Sequence, residues 1–442
     1  MIYMTLPEDK TALISTLIRY HKNEILKRKQ MLFDYYNGKH TAILNKKRKS
    51  KNVPNNKIIN PYPRYIVNTV QGYFLGKPVR YDSLDKALYE AIDDIYDDNY
   101  EDDLNIELAK SLSICGEAFE VILLTKDNEE DSSAIKFAQL PALQTMAIYD
   151  DSVIPKLTAV FRYYDVHDYM TSQDITKVEI YLEDRIEYYT QISKNNFRLD
   201  DVVEHHFGSV PVVHYLNNAE TMGDFEVALS QIDAYDRTIS TNLDEIEKFA
   251  NAYLVLQGLD GTDDDEMRKA LSNLALKVPE GADISWLTKD LSSTTVFEQL
   301  KVLDEKIHTM TQVPNLTDDS FANNSSGVAI QYKLTAFENL IAAKERKFEQ
   351  GLRKRLELII TALNLKGNDF DAKDVSITFD RNLPNDLLNI SQVVANLGNY
   401  LPIESLLPII PFIKEPQEVL DLLDKRLEEN KANNQENALT TN

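Results

Sequence analysis

The stretch from Val296 to Leu363 constrains the fold more than any other, because two helical patterns of unequal length flank a break that neither can cross. Upstream, Val296, Leu300, Leu303, Ile307 and Met310 recur at spacings of 4, 3, 4 and 3. That is the seam of a helix packed lengthwise on another helix, and it puts Glu298, Lys301 and Glu305 on the opposite face. Pro314 stops this helix, having no amide hydrogen to donate. Ser325 or Ser326 can cap the next one, where Val328, Leu334, Phe337 and Ile341 begin an apolar stripe that runs to Leu363. At 1.5 Å per residue this second helix is a rod of roughly 55 Å. The 15 residues between, 313–327, exceed the usual length of a loop, so they are expected to be functional or mobile. Helix, polar loop and long helix together predict a mechanical part.

The rest of the chain reads as α+β. Residues 8–38 predict a helix, followed by a basic cluster, Lys46, Lys47, Arg48, Lys49 and Lys51, that reads first as a solvated loop and second as a contact for DNA or an acidic partner. Residues 82–103 hold ten acids with Leu88, Ile92, Ile95 and Tyr96 at helical spacing, which predicts one amphipathic helix with an acidic solvent face. From 118 to 215 the pattern turns to strands such as FEVILLTK, KLTAVFRYY and SVPVVHYL, expected to form a mixed or antiparallel sheet. A second heptad-like helix begins after Gly223, with Phe225, Leu229, Ile232, Ile239, Leu243, Ile246 and Ala250 at 3/4 spacing and Tyr235 and Asp236 interrupting it. Residues 251–291 form a small insertion between the two seams, DVSITFD is a strand, and 385–430 are short helices punctuated by prolines.

Composition excludes several classes. A chain of 442 residues and 50.6 kDa is expected to form two or more domains. One cysteine, Cys115, excludes an intramolecular disulfide and any CxxC site, and it reads as a small core residue beside Gly116. The charged start predicts no secretion signal, and no run approaches the ~20 apolar residues of a membrane-spanning helix. Residues 1–80 carry a balance of +12 and the remainder −35, giving −23 overall. Such acidity suits passage of a polyanion better than gripping it, and it equally serves solubility. GxxxxGK[ST], GxGxxG and HExxH are all absent, so no nucleotide hydrolysis or metalloprotease chemistry is supported and no cofactor is expected. His205, His206 and His214 lack a suitably placed acid or cysteine for a metal site. The run from Asp260 has Asp265 where a calcium loop needs glycine.

The stretch Val313, Pro314, Asp318, Phe321, Asn324, Ser325, Ser326, Gly327, Ala329, Tyr332 and Lys333 resembles the tunnel-loop region of the portal proteins of long-tailed, siphovirus-type bacteriophages. The blocks PNNKIINPYPRYIVNTVQGYFLGKPVRY, SICGEAFEVI, FGSVPVVHYLNN, DEIEKFANAYLVLQG and FDRNLPND follow the same family's order over residues 54–386. The resemblance implies a predominantly helical portal fold. Its parts would be a wing (1–222), stem helices (223–250 and 292–312) around a clip (251–291), and a tunnel loop (313–327). A long wing helix with a strand (328–384), crown helices (385–430) and a disordered tail (431–442) would complete it. It implies a ring of about twelve subunits at a capsid vertex, assembled in the host cytoplasm, through which double-stranded DNA enters and leaves the virion. It also implies partners: the terminase large subunit, a head-completion adaptor, scaffold and major capsid protein, and no membrane. Under it, Asn315, Thr317, Asp318, Asp319, Ser320, Asn323, Asn324, Ser325 and Ser326 would face DNA. The Val296–Met310 seam would pack the stem, and Asp263, Asp264, Asp265 and Glu266 would dock the motor or adaptor. The alternatives are another head-to-tail connector or scaffold-type protein, or a nucleic-acid-processing enzyme.

Overall fold

The computed structural model describes residues 2–48, 54–126, 133–170, 172–250, 253–257, 283–287, 293–316, 327–381, 387–398 and 400–407, with single residues beyond these such as Asp265. It is α+β, and it divides into two units, Met1–Ala322 with Tyr332–Arg381 and Asn323–Gln331 with Asn382–Asn442.

The first unit opens with a short strand, β1 (Ile2–Tyr3), and a helical rod in which a π turn at His21–Ile25 joins α1 (Thr11–Tyr20) to α2 (Leu26–Tyr36). Asp9 starts the rod by accepting from the Thr11 amide at 3.0 Å and its hydroxyl at 2.6 Å. After α3 (Thr41–Leu44), α4 (Tyr62–Phe74) begins with Pro63 in its first turn, where a missing amide hydrogen costs nothing. The acidic stretch differs from the single amphipathic helix expected over 82–103. It holds the end of β2 (Arg80–Ser83), then α5 (Lys86–Asp97), then a break, then the start of α6 (Glu101–Cys115). Asn99 makes the break. Its side chain donates to the Ile95 and Ile135 carbonyls (2.7 and 3.0 Å) and accepts from the Phe137 amide (3.1 Å), and Tyr100 turns left-handed at φ 51°. Glu101 consequently lies inside, not on the acidic solvent face.

The strand region forms two sheets where one was expected. β3 (Glu117–Lys126) and β4 (Ser133–Leu140) pair with β10 (Val212–Leu216) in the order β10-β3-β4. The second sheet takes β5 (Thr145–Tyr149), β6 (Leu157–Asp168), β7 (Gln173–Tyr181), β8 (Arg185–Ser193) and β9 (Asn196–Glu204) in the order β1-β5-β6-β7-β8-β9, antiparallel except for β1 on β5. Alternation puts Phe161, Tyr163, Val178 and Ile180 on one face, against Ile14 and Leu17 of α1.

Downstream, a 3-10 turn at 226–228 leads into α7 (Leu229–Ala250), and β11 (Tyr253–Gln257) pairs antiparallel with β12 (Asp283–Leu287) in the insertion. The second seam helix is α8 (Ser293–Thr311) and the long helix is α9 (Gly327–Leu365), whose 39 residues span about 58 Å. β13 (Val375–Thr378) returns to pair antiparallel with β2. In the second unit, α10 (Leu387–Leu397) and α11 (Ile403–Leu406) are short, and Leu406 and Leu407 are buried.

His21, at the π turn, is fully buried; its Nδ1 lies 2.9 Å from the Tyr163 hydroxyl and its Nε2 has no partner among the described residues. Burial, with the charge of Lys29 nearby, pushes its pKa down from 6.5 to about 4. The unfolded chain therefore binds the extra proton first, and stability falls as pH drops from 6.5 through 4, by about 3 kcal/mol in the limit. Glu117 adds a loss only below its ordinary value of 4.5: despite its burial, Lys29 and His214 hold that carboxyl far below the usual glutamate range. Thermal denaturation at pH 7 and pH 5 is expected to show the decline in the natural protein and a flatter response in His21→Phe. Equal slopes would contradict the assignment.

Candidate functional site

The two seam helices are held from one side by an extended strap. α8 packs along α7, and Tyr62 marks their level, with its ring edge on Tyr235 (5.1 Å) and its hydroxyl donating to Asp304 (2.6 Å). Residues 56–60 run beside α7. The Asn60 amide donates to Asp236 (2.9 Å), the Ile58 amide to the Ser240 hydroxyl (2.9 Å) and the Asn56 amide to Asp244 (2.6 Å). The match is geometric. Two residues of extended chain advance about 6.6 Å and four residues of helix about 6.0 Å, so every second amide meets every fourth helical position. His40 closes the site. Its Nδ1 lies 2.5 Å from Asp236 and its Nε2 3.2 Å from the Tyr35 carbonyl, with its ring stacked on Tyr35. Lys46 reaches Asp244 at 2.5 Å, and its bond with that of Asn56 overcomes burial to hold the Asp244 carboxyl below the usual aspartate range. The basic cluster thus supplies α7 with an ion-pair partner at Lys46, not merely a solvated loop.

Buried charges fix the long helix. Arg355 is fully enclosed, with Glu120 at 3.0 Å, Glu101 at 2.6 Å and the Asn105 side-chain oxygen Oδ1 at 2.9 Å. Burial alone would lower its pKa, but Glu120, Tyr215 and Glu101 raise it well above the ordinary value, so the guanidinium stays charged. Lys344, also buried, donates to Asp224 (2.8 Å) and to Ser113 (2.6 Å), tying α9 to the approach to α7. Arg381, just after β13, pairs with Glu338 and Glu345 of the same helix at 2.8 and 2.6 Å. At Gly351 the helix leaves room for the Tyr215 ring, whose carbons would lie 2.2 Å from a Cβ there.

The end of α8 is built into a defined root. Val313 is fully buried and Gln312 turns left-handed at φ 58°. The Tyr65 hydroxyl donates to the Pro314 carbonyl (3.0 Å) and accepts from the Leu316 amide (2.9 Å). Asn315 donates to Asp304 at 3.2 Å, and His308 Nδ1 lies 2.9 Å from the Val313 carbonyl. Burial and then the hydrogen bond to Asp304 push the Tyr62 hydroxyl far above the usual tyrosine range, so it remains a neutral donor.

Of the expected seam, Ile307 is fully buried, Val296, Leu300 and Leu303 are half-buried, and Met310 is 46% exposed within the single chain. Glu298, Lys301 and Glu305 are exposed. Asn315 is half-buried at the root, whereas Thr317, Asp318, Asp319, Ser320, Asn323, Asn324, Ser325 and Ser326 lie outside the described residues. So do Asp263, Asp264 and Glu266; Asp265 is exposed. Cys115 is a buried core residue whose thiol donates to the Glu117 carbonyl at 3.3 Å. His214 bonds Glu117 and Tyr149, His205 bonds the Leu182 carbonyl, and no group able to hold a metal ion occurs among the described residues. Among those residues, no helix is long and apolar enough to cross a membrane. Asp236 and Ser240, which an apolar periodicity passes over, turn out to be the α7 anchors, and a 4-residue spacing of small acceptors is the signal that could have found them.

Comparison with known proteins bears on the whole chain. Residues 16–433 match the sequence profile described as "Phage portal protein, SPP1 Gp6-like". The portal protein of Bacillus phage SPP1 is 23% identical over 391 residues, covering 84% of this chain and 76% of that protein. The portal protein of Clostridium phage phiCD119 is 23% identical over 440 residues, covering 95% and 94%. A chain in the neck of a native GTA particle, computed with C12 symmetry, aligns over 80% of this chain and 90% of its own, at 11% identity and a TM-score of 0.49. With that profile spanning nearly all of it, the chain belongs to the SPP1 Gp6-like family of phage portal proteins, structural proteins of the bacteriophage virion.

Proposed function

We propose that about twelve copies of this chain close into a ring at one vertex of the capsid, and that duplex DNA passes along its axis during packaging and ejection. The observation that carries this reading is mechanical. Two helices pack side by side, α7 anchored through buried Asp236 and α8 through half-buried Asp304; α8 leads into a small polar segment at Asn315, and a long ion-locked helix follows. In this reading residues 315–326 touch the DNA. The side chains of Asn315, Thr317, Ser320, Asn323, Asn324, Ser325 and Ser326 offer weak hydrogen bonds to phosphate, while Asp318 and Asp319 repel it, so the strand is contacted without being held. Val296, Leu300, Leu303, Ile307 and Met310 serve the packing of the stem, and exposed Met310 and Phe297, the latter 72% exposed, give a neighbouring copy apolar area to cover. Asp263, Asp264, Asp265 and Glu266 would meet a basic surface of the terminase large subunit and later the head-completion adaptor, with scaffold and major capsid protein on the outer parts. Assembly takes place in the host cytoplasm, and no catalysis is assigned to the chain.

Deleting Thr317–Asn324 tests the loop. The expected result is a fall of roughly tenfold or more in DNA-filled particles, or loss of DNA after filling, from rings that still assemble. Packaging and retention equal to those of the natural protein would show that the loop does not act on DNA.

A further inference from the structure

The segment read above as DNA-contacting starts at Asn315, and the geometry at its root shows what fixes that starting point. Beyond α8 the backbone leaves its helix at a left-handed Gln312, and Pro314 can donate no hydrogen bond. Among the described residues the Pro314 carbonyl and the Leu316 amide, two residues apart, belong to neither a helix nor a ladder; the Tyr65 hydroxyl serves both, donating at 3.0 Å and accepting at 2.9 Å. Tyr65 belongs to α4, more than two hundred residues away in sequence, and its ring is held edge-on by His308 with centroids 5.7 Å apart. A cavity of about 280 Å³ lined by Asn60, Tyr62, Tyr65, Asp304, His308 and Asn315 adjoins this contact. Beyond the fully buried Val313 the root borders this open space on one side, so directional bonds as well as packing set the position of Pro314 and Leu316.

We propose that Tyr65 is a positioning residue for the DNA-contacting loop: its hydroxyl pins the backbone at Pro314 and Leu316, so that the loop begins from a fixed point set by α4. Asp304 assists by bridging Tyr62 and Asn315 at 2.6 and 3.2 Å. The proposal rests on the loop reading above, and its test separates the two.

In the full-length protein, Tyr65→Phe keeps the ring and its contact with His308 and removes only the hydroxyl. Hydrogen exchange is expected to accelerate about five- to tenfold at the Leu316 amide, with α4 and α8 protected as before. Particles assembled with the variant are expected to hold several-fold less DNA while ring formation is unchanged. Unchanged exchange at Leu316 overturns the pin. Faster exchange with full packaging also overturns it, because the bond is then structural only. Loss of protection spread over α4 and α8 has the same meaning. The Thr317–Asn324 deletion, run in parallel, addresses the loop by itself. If the deletion packages normally, the loop reading fails, and the inference built on it fails too. If the deletion fails to package while Tyr65→Phe behaves as the natural protein, only the positioning role is lost.

Discussion

Arg355→Ala is expected to cost about 3–5 kcal/mol of folding stability, a large share of the 5–15 kcal/mol that holds a typical domain together. The guanidinium is fully enclosed, and its removal leaves buried Glu101 and fully buried Glu120 without their cation. The Tyr81 and Tyr215 hydroxyls donate to those carboxylates at 2.5 and 2.6 Å but cannot neutralise them. Arg355→Lys is expected to fall between, because one ammonium cannot reproduce a fork that spans Glu120, Glu101 and Asn105. Urea denaturation checks the series. The triple variant Arg355→Met, Glu101→Gln, Glu120→Gln is expected to recover most of what Arg355→Ala loses, since it removes the stranded charges with their partner. An Arg355→Ala midpoint equal to that of the natural protein would refute the buried ionic lock.

Gly116→Ala is expected to cost about 2–4 kcal/mol, second only to Arg355→Ala. Gly116 ends α6 at φ 88°, and a Cβ there would stand 2.1 Å from the Thr221 carbonyl oxygen. The opposing backbone cannot retreat cheaply. Asn217 and Asn218 both donate to the Met222 carbonyl, and the Asp224 amide donates to Ser113 at 2.8 Å. The approach is mutual, since a Cβ on Gly223 would meet the Ile114 oxygen at 2.3 Å. Gly38→Ala is the control: it is also left-handed, at φ 75°, but has nothing within 4 Å of a new Cβ, so it carries only the backbone strain of about 1 kcal/mol. The difference in denaturation midpoint between the two variants isolates the close approach. Equal losses would mean that the segment leading into α7 is free to shift.

What the sequence revealed follows from what periodicity can encode. The seam through Ile307, the stop at Pro314 and the rod from Gly327 are visible because apolar side chains at 3/4 spacing and a missing donor have few alternative readings. Lys344 and Arg355 were hidden because charged letters in a helix read as solvent-facing. Their spacing tells otherwise: with Phe337, Ile341, Phe348, Leu352 and Ile359 they fall on the buried stripe itself. Asp236 disappeared for the complementary reason, appearing only as an interruption in a heptad pattern although it is the acceptor for His40 and Asn60. The break at Asn99 was unreadable because its cause is a strand, with Ile135 and Phe137 satisfying the side chain from a distant part of the chain. The division of the strand region into two sheets likewise depends on pairings that local alternation does not specify.

Every role proposed for the stem and the loop depends on a closed ring with an axial passage. Negative-stain electron microscopy of the purified full-length protein, with native mass measured on the same sample, addresses it most directly. Closed particles of about twelve copies, with an axial hole wide enough for duplex DNA, are expected. A monomer that persists at high concentration and with scaffold and capsid protein added, or an open filament that never closes, would contradict it.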